Sequence, residues 1–214
     1  RRFRRASLDV SSPRFTNIRE GTLVSRTMDS FEELGLAPEL VEALAADGVE
    51  RPTSLQEAAL PVIRRANNLF LAAGPGSGTT VAWGVALLDR VDSEGDTPRA
   101  VVLTPSRDRA DQLAQSIGRL ADSTGHRVAA LGSHWVLPGN AAFLFGTPSD
   151  VLAAAKASDV NLQAVEAIVV DQASRIDAFE GMEATEAILE YVPKEAQRVV
   201  IAQPITPGVT KFLE

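Results

Sequence analysis

Cysteine is absent from the 214 residues, which excludes a disulfide framework and a thiolate metal site. Aromatic residues make up only 5%, so the core has to be built mainly from alanine, valine, leucine and isoleucine. No apolar run approaches the ~18 residues that a helix needs to span a bilayer. With 45% hydrophobic residues, the chain has enough apolar side chains for one large core. We therefore expect an intracellular protein with no membrane-spanning segment.

Positive charge is scarce in most of the chain. The net charge is −7, yet residues 1–30 contain seven arginines against three acidic residues, a balance of +4, which leaves −11 for the remainder. An acidic body argues against non-specific binding of nucleic acid by the domain as a whole. The basic start of the chain can still bind RNA or another acidic partner.

Residues 1–30 show little apolar periodicity, and we interpret them as an extended, Arg-rich N-terminal arm that orders on a partner. This segment is poor in acids and rich in arginine and serine, which also resembles an organelle-targeting segment. The segment is therefore compatible with a location in the mitochondrial matrix or in another organelle.

From residue 31 onwards, short apolar runs alternate with helical patterns, which predicts βαβ units and a parallel sheet. The predicted strands are Leu69–Ala72, Ala100–Leu103, Arg127–Leu131, Ala142–Phe145, Ala167–Val170 and Arg198–Ala202. The predicted helices are Pro38–Ala46, Ser54–Asn67, Thr79–Arg90, Arg107–Ala121, Ser149–Ala157 and Met182–Val192. Residues 31–214 therefore form one α/β domain.

A glycine-rich turn lies between the first predicted strand and the helix that follows it. Such a turn exposes backbone N–H groups at a helix N-terminus and can bind a phosphate. The alternative interpretation is an ordinary glycine-rich loop between a strand and a helix. The candidate phosphate-binding residues are Gly76, Ser77, Gly78, Thr79 and Thr80. A working loop of this kind has lysine where Thr79 stands, so the main fixed charge is missing.

Upstream of this loop, the spacing from Phe31 to residues 48–56 (GVERPTSLQ) resembles the Q motif of DEAD-box RNA helicases. The resemblance implies a RecA-like, three-layer fold with a mostly parallel central sheet. It also implies that the aromatic ring of Phe31 stacks on adenine and that the amide of Gln56 hydrogen-bonds the edge of the base. The same motif adds Arg51, Pro52 and Thr53 to the candidate nucleotide contacts.

Later segments match further motifs of this family in the same order. Arg107 in PSRDRA (105–110) and Thr147 in GTPSD (146–150) correspond to RNA-phosphate-binding motifs, and residues 132–133 correspond to the paired-glycine motif. Asp171 opens DQAS (171–174), where the family has Asp-Glu-Ala-Asp, and with Thr80 it could hold Mg²⁺. Asp108, Arg109 and Asp111 form a charge run that we interpret as a solvated helix face.

The departures from the family pattern all affect catalysis or RNA binding. The glutamate that polarises the attacking water is replaced by Gln172, and an amide cannot accept a proton at neutral pH. The last aspartate of the motif is Ser174, and the Ser and Thr of the Ser-Ala-Thr motif are Ala202 and Pro204. Asp150 replaces a phosphate-binding arginine and is expected to repel RNA.

These departures predict a catalytically inactive helicase-like domain that requires no cofactor. We expect it to act as a structural or scaffold subunit of a larger complex, either organellar or ribonucleoprotein. One alternative is a domain that binds ATP or ADP with Mg²⁺, together with RNA, and hydrolyses little or no nucleotide. A true helicase is the third hypothesis and ranks last. We expect that this chain has no second RecA domain and cannot unwind RNA alone.

Overall fold

The structure is a computed structural model that describes residues 14–19, 21, 28–132 and 140–214. The strands are β1 (Thr16–Arg19), β2 (Leu69–Ala72), β3 (Ala100–Leu103), β4 (Val128–Ala130), β5 (Phe143–Gly146), β6 (Ala167–Val170) and β7 (Gln197–Ile201). The helices are α1 (Pro38–Ala46), α2 (Ser54–Arg64), α3 (Thr79–Arg90), α4 (Arg107–Ala121), α5 (Pro148–Lys156), α6 (Ala173–Ala178), α7 (Met182–Ile188) and α8 (Pro207–Leu213).

The described strands form one sheet in the order β1-β2-β7-β6-β3-β5-β4, and every neighbouring pair is parallel. Central strands such as β3, β5 and β6 are buried along their whole length. A parallel strand covered on both faces needs apolar side chains at every position, which explains their continuous runs of valine, alanine, leucine and phenylalanine.

Alternate residues of each strand enter two separate cores. Leu69, Leu71 and Val169 pack with α1–α4 on one face of the sheet. Phe70 and Val170 pack with α5–α8 on the other face. Helices on both faces of a parallel sheet give the three-layer α/β architecture that the sequence pattern predicts. Trp83, on α3, is fully buried and lies 6.3 Å from the ring of Phe145.

The N-terminal segment contributes one strand to this sheet. Thr16–Arg19 pairs in parallel register with Leu69–Ala72, and Ile18 is buried with the first core. Part of the segment that we expected to be an extended arm is therefore an edge strand of the domain. Residues 1–13, which contain most of the arm's arginines, lie outside the described residues. Among the described helices, none has the length and apolar character required to cross a membrane.

Candidate nucleotide site

A pocket of about 330 Å³ opens at the carboxyl ends of the central strands. The glycine-rich loop follows β2, Gln203 follows β7, Asp171 follows β6, and the loop after β3 leads into α4. Because these four strands are neighbours in the sheet, segments far apart in sequence meet at one edge. The lining residues include Gly74, Gly76, Gly78, Thr79, Thr80, Arg109, Asp171, Gln172, Ser174, Arg175 and Gln203.

The glycine-rich loop adopts a conformation that its glycines make possible. Gly76 and Gly78 have φ angles of 84° and 82°, in the left-handed region that other residues avoid. A Cβ atom on Gly78 would lie 2.7 Å from the Nε2 atom of Gln56, which is too close. The Ser77 hydroxyl donates to the carbonyl of Gly74 at 2.6 Å and closes the loop. The loop leads directly into α3, whose first N–H groups have no partner within the helix.

Gln56 connects this loop to α2. Its Oε1 atom accepts a hydrogen bond from the backbone N–H of Thr53 at 2.8 Å, and its Nε2 atom donates to the carbonyl of Gly78 at 3.1 Å. The Thr53 side chain caps α2 by accepting from the N–H of Gln56, which completes a capping box. The amide of Gln56 is only 2% exposed and uses both of its ends within the protein. Its predicted contact with the edge of a base stays a prediction.

The other Q-motif residues lie in different environments. Phe31 is 1% exposed and belongs to the first hydrophobic core, so a base could stack on its ring only after a rearrangement. Arg51 and Thr53 are exposed and Pro52 is half-buried, and none of the three lines the pocket. In this conformation these residues do not form an adenine-binding surface. Their adenine-binding role stays a prediction.

Thr79 and Thr80 begin α3 and both line the pocket. Thr79 is 8% exposed, and its hydroxyl stands where a working loop would direct an ammonium at the phosphates. Since Lys156, Lys194 and Lys211 are the only lysines of the chain and none of them lines the pocket, no other lysine replaces it there.

The buried carboxylate of Asp171 is paired with an arginine. Asp171 is 1% exposed, and its Oδ2 atom accepts a hydrogen bond from the Nε atom of Arg109 at 2.9 Å. Burial raises the pKa of Asp171 above its ordinary value, and the neighbouring guanidinium of Arg109 opposes this shift. Asp171 therefore lies in the predicted pocket, but with a protein cation as its immediate partner.

The position of Arg109 corrects the interpretation of its charge run as a solvated helix face. Its side chain is only 27% exposed and points into the pocket, whereas Asp108 is exposed. Arg109 precedes Ala110, the first buried residue on the core-facing side of α4. Helical periodicity therefore placed Arg109 beside the buried face of α4. This was the one signal in the sequence that could have identified Arg109 as a pocket residue.

Gln172 lies between β6 and α6, and Ser174 lies in the first turn of α6. Gln172 has a left-handed backbone conformation, with φ 51° and ψ 49°, and its Oε1 atom accepts from the Nη1 atom of Arg175 at 3.2 Å. The Ser174 hydroxyl donates to the carbonyl of Pro204. The Ser-Ala-Thr position is thus hydrogen-bonded to the start of α6, through the Ser174 hydroxyl where the family has a carboxylate.

The two candidate RNA-binding residues are both bonded to Asp150. Arg107 donates to the two carboxylate oxygens of Asp150 at 2.8 and 2.6 Å, and the Thr147 hydroxyl donates to the same side chain at 2.8 Å. The hydrogen bond from Arg107 holds the pKa of Asp150 below its ordinary value, and the same bond raises the pKa of Arg107. Asp150 therefore pairs with the predicted phosphate-binding cation and neutralises it, a local effect that the sequence did not reveal.

The all-parallel sheet and the glycine-rich loop at its carboxyl edge define a RecA-like domain of the phosphate-loop class. A sequence model described as DEAD/DEAH box helicase matches residues 53–203, well over half of the chain. The chain belongs to the DEAD/DEAH box helicase family.

Individual relatives agree with this family. The ATP-dependent RNA helicase DBP5 of Saccharomyces cerevisiae is 29% identical over 189 residues, which cover 86% of this chain and 39% of DBP5. The solved structure of S. cerevisiae Dbp5 bound to RNA and ADP BeF3 superposes with a TM-score of 0.78 at 28% identity, covering 86% of this chain and 49% of that one. A DEAD box protein of Methanococcus jannaschii gives 0.80 at 24% identity, covering 86% of this chain and 52% of that one, which shows the shared fold. The chain thus spans about half the length of these solved relatives.

Proposed function

We propose that this domain is a catalytically inactive member of its family and serves as a structural subunit of a larger assembly. The observation that carries the proposal is the composition of the pocket. Thr79 and Gln172 line the same cavity, at the positions of the phosphate-binding lysine and the water-polarising glutamate. A hydroxyl supplies no positive charge to the phosphates, and an amide supplies no general base.

The RNA-binding side supports the same conclusion. The cation of Arg107 is held by the carboxylate of Asp150, so the surface that should attract RNA phosphates carries a neutral pair. An intact fold combined with a modified pocket and a neutralised RNA surface is what we expect of a domain retained for its shape and its contacts. S. cerevisiae Dbp5, a relative of this chain, was solved bound to Nup159 and Gle1, and this supports the proposal of protein partners.

The subunit role is tested by fractionating native lysate and following the endogenous full-length protein by size-exclusion chromatography. We expect it to elute with a complex far larger than its own mass, and to stay there after nuclease treatment if protein partners hold it. Elution as a free monomer at native concentration would contradict the subunit role. Tagged protein imaged in cells tests the proposed mitochondrial or other organellar location.

A second candidate function is the binding of an adenine nucleotide without its hydrolysis. The phosphate cradle favours it, since Gly76 and Gly78 hold the loop open in the required conformation and the pocket before it is large enough for phosphate groups. S. cerevisiae Dbp5 and the Prp28 helicase of Chaetomium thermophilum were both solved with ADP. Thermal unfolding with increasing ADP or ATP tests this function: a saturable rise in Tm supports it, and no change at millimolar nucleotide contradicts it.

RNA binding by the N-terminal arm is also part of this proposal. Residues 1–13 contain four of the seven arginines that precede residue 31. Replacing these four by glutamine should abolish a salt-sensitive affinity for single-stranded RNA while leaving the fold unchanged. RNA affinity that is unaffected by this replacement would exclude the arm as the RNA-binding segment.

A further inference from the structure

The pocket has its own fixed cation, which comes from α4 instead of the glycine-rich loop. The side chain of Arg109 enters between the loop and β6, and only its Nε atom is used within the protein, on Asp171. Among the described residues, the two Nη groups of Arg109 have no hydrogen-bond partner, and Arg109 lines the same cavity as Gly76, Gly78 and Thr80. A guanidinium anchored at one nitrogen and free at two presents a planar set of donors that matches phosphate oxygens.

This arrangement does not fit a magnesium ion at Asp171. Mg²⁺ requires near-octahedral oxygen coordination and is held in such sites through one or two carboxylates. Of the residues that the structure describes, Asp171 is the only carboxylate that lines the pocket, and the guanidinium of Arg109 lies 2.9 Å from it. A divalent cation at that carboxylate would have to displace Arg109 or accept a like charge at short range. Within the described residues there is also no cluster of three metal-ligating side chains elsewhere.

We propose that Arg109 takes the place of both the missing lysine and the metal, so that the pocket binds the phosphates of an adenine nucleotide directly and without a divalent cation. The inference rests on the second candidate function, nucleotide binding. Asp171 acts as a positioning residue: it fixes one nitrogen of the guanidinium and leaves the other two available to an anion in the pocket. The rim contains a second cation, Arg175, whose Nη1 atom is bonded to Gln172.

The charge of the pocket is consistent with this assignment. Arg109 and Arg175 contribute two positive charges and Asp171 one negative charge, so the lining is net positive within an acidic domain. An anion entering the pocket therefore meets a favourable field even though Lys is absent from the loop. Because the guanidinium is already held in place, little side-chain entropy is lost when a phosphate binds.

The test is the binding of fluorescent ADP and ATP to the purified protein, with Mg²⁺ and with EDTA. For the wild-type protein we expect dissociation constants in the two buffers that agree within about twofold, since no metal takes part in the contact. Arg109→Leu should weaken binding in EDTA by about tenfold, because a charge-assisted contact is lost, and the binding that remains should become Mg²⁺-dependent. Arg109→Lys keeps the cation and should restore part of the affinity.

Arg119→Leu is the matched control, since it removes an exposed arginine from the same helix, remote from the pocket lining. Wild-type binding that disappears in EDTA, or an Arg109→Leu protein that binds like the wild type, would overturn the assignment of Arg109 while leaving nucleotide binding itself supported. If the wild-type protein binds no nucleotide in either buffer, nucleotide binding and the assignment of Arg109 are both refuted.

Discussion

Arg107 and Asp150 form a two-pronged ion pair, in which the Nε and Nη2 atoms of the guanidinium donate to the two carboxylate oxygens at 2.8 and 2.6 Å. The arginine is 65% exposed, and the stem of its side chain lies against Gly132, where an added Cβ would be 3.3 Å from its Cδ. A cation at the surface is thereby matched by an anion of the same domain. Under the proposed function, this pairing weakens the attraction of the motif arginine for RNA.

Releasing Arg107 should therefore increase RNA binding. We expect Asp150→Ala to raise the affinity for single-stranded RNA roughly threefold to tenfold at low ionic strength, because one repulsive charge is lost and one cation is freed. The gain should fall as salt is added, and fluorescence anisotropy measures both effects. Asp159→Ala removes an equal charge from an exposed position beyond the end of α5 and should leave the affinity nearly unchanged. An equal gain in both variants would mean that net charge, and not Arg107, is responsible.

Gln56 should contribute to stability as well as to the shape of the phosphate loop. Replacing Gln56 by alanine removes its half of the capping box and its hydrogen bond to the Gly78 carbonyl, which together should lower the free energy of unfolding by about 2 kcal/mol. Urea denaturation measures the change. Gln115→Ala, at an exposed position of α4, should change it by less than about 0.5 kcal/mol. Equal stability of the two variants would show that the bridge to Gly78 has no energetic role.

A lysine at position 79 should restore the missing charge of the phosphate loop. Thr79 lines the pocket, so we expect Thr79→Lys to bind ATP about tenfold more tightly than the wild-type protein, through a charge-assisted contact to the phosphates. Thr79→Met provides a side chain of similar length without the charge and should bring no gain. Isothermal titration calorimetry distinguishes them, and a gain in the methionine variant would attribute the effect to packing.

His126 should make the stability depend on pH. Its Nε2 atom bonds to the carbonyl of Val91 at 2.8 Å and its Nδ1 atom to the hydroxyl of Thr124 at 2.7 Å, an arrangement that the neutral ring satisfies. Burial lowers the pKa of His126 in the folded protein below the ordinary value of 6.5. The unfolded chain therefore takes up the proton first as the pH falls. The stability associated with the neutral ring is present above pH 6.5 and is lost as the pH falls through the lowered pKa.

Urea midpoints measured between pH 7.5 and pH 5 test this dependence. The wild-type protein should lose more stability over this range than His126→Gln, with a difference of at most about 1.4 kcal/mol per pH unit. Parallel curves for the two proteins would show that other groups account for the pH dependence.

The sequence predicted most of the fold because the periodic segments are long and their ends are marked. The bounds of α1, α3 and α4 agree with the structure, as do those of β2, β3 and β6. Helix α1 begins at Pro38, α3 begins after a glycine turn, and α4 begins after the capping residue Ser106. Marked helix starts and continuously apolar strands therefore determined the secondary structure of these segments.

The elements that the sequence did not reveal either lack an apolar run or are helices of only six or seven residues. Strand β1 has four residues, of which only Ile18 is buried, so it shows no apolar run. Helix α6 has six residues and begins after a non-glycine residue in a left-handed conformation, and α8 has seven. The predicted helix Met182–Val192 was too long, because α7 ends at Ile188 in the structure. In each case tertiary packing, and not local periodicity, determines the element.

The site was only partly predictable for a related reason. Motif order placed Thr80, Gly76 and Asp171 around one pocket, and the structure brings them together. The pairings of Arg109 with Asp171 and of Arg107 with Asp150 depend on strand order, because they connect segments 62 and 43 residues apart. Local sequence contains no information about which loops become neighbours at the sheet edge. A charged residue therefore cannot be assigned to solvent or to the pocket before the topology is known.

The central claim, that this domain does not hydrolyse ATP, is tested most directly by steady-state turnover. ATP hydrolysis by the native full-length protein should be measured with and without saturating RNA, against a buffer blank and an active DEAD-box helicase. Because Thr79 and Gln172 supply neither the cation nor the base, we predict a rate that RNA does not stimulate and that equals the blank. RNA-stimulated turnover above the blank that co-purifies with the protein would contradict the account.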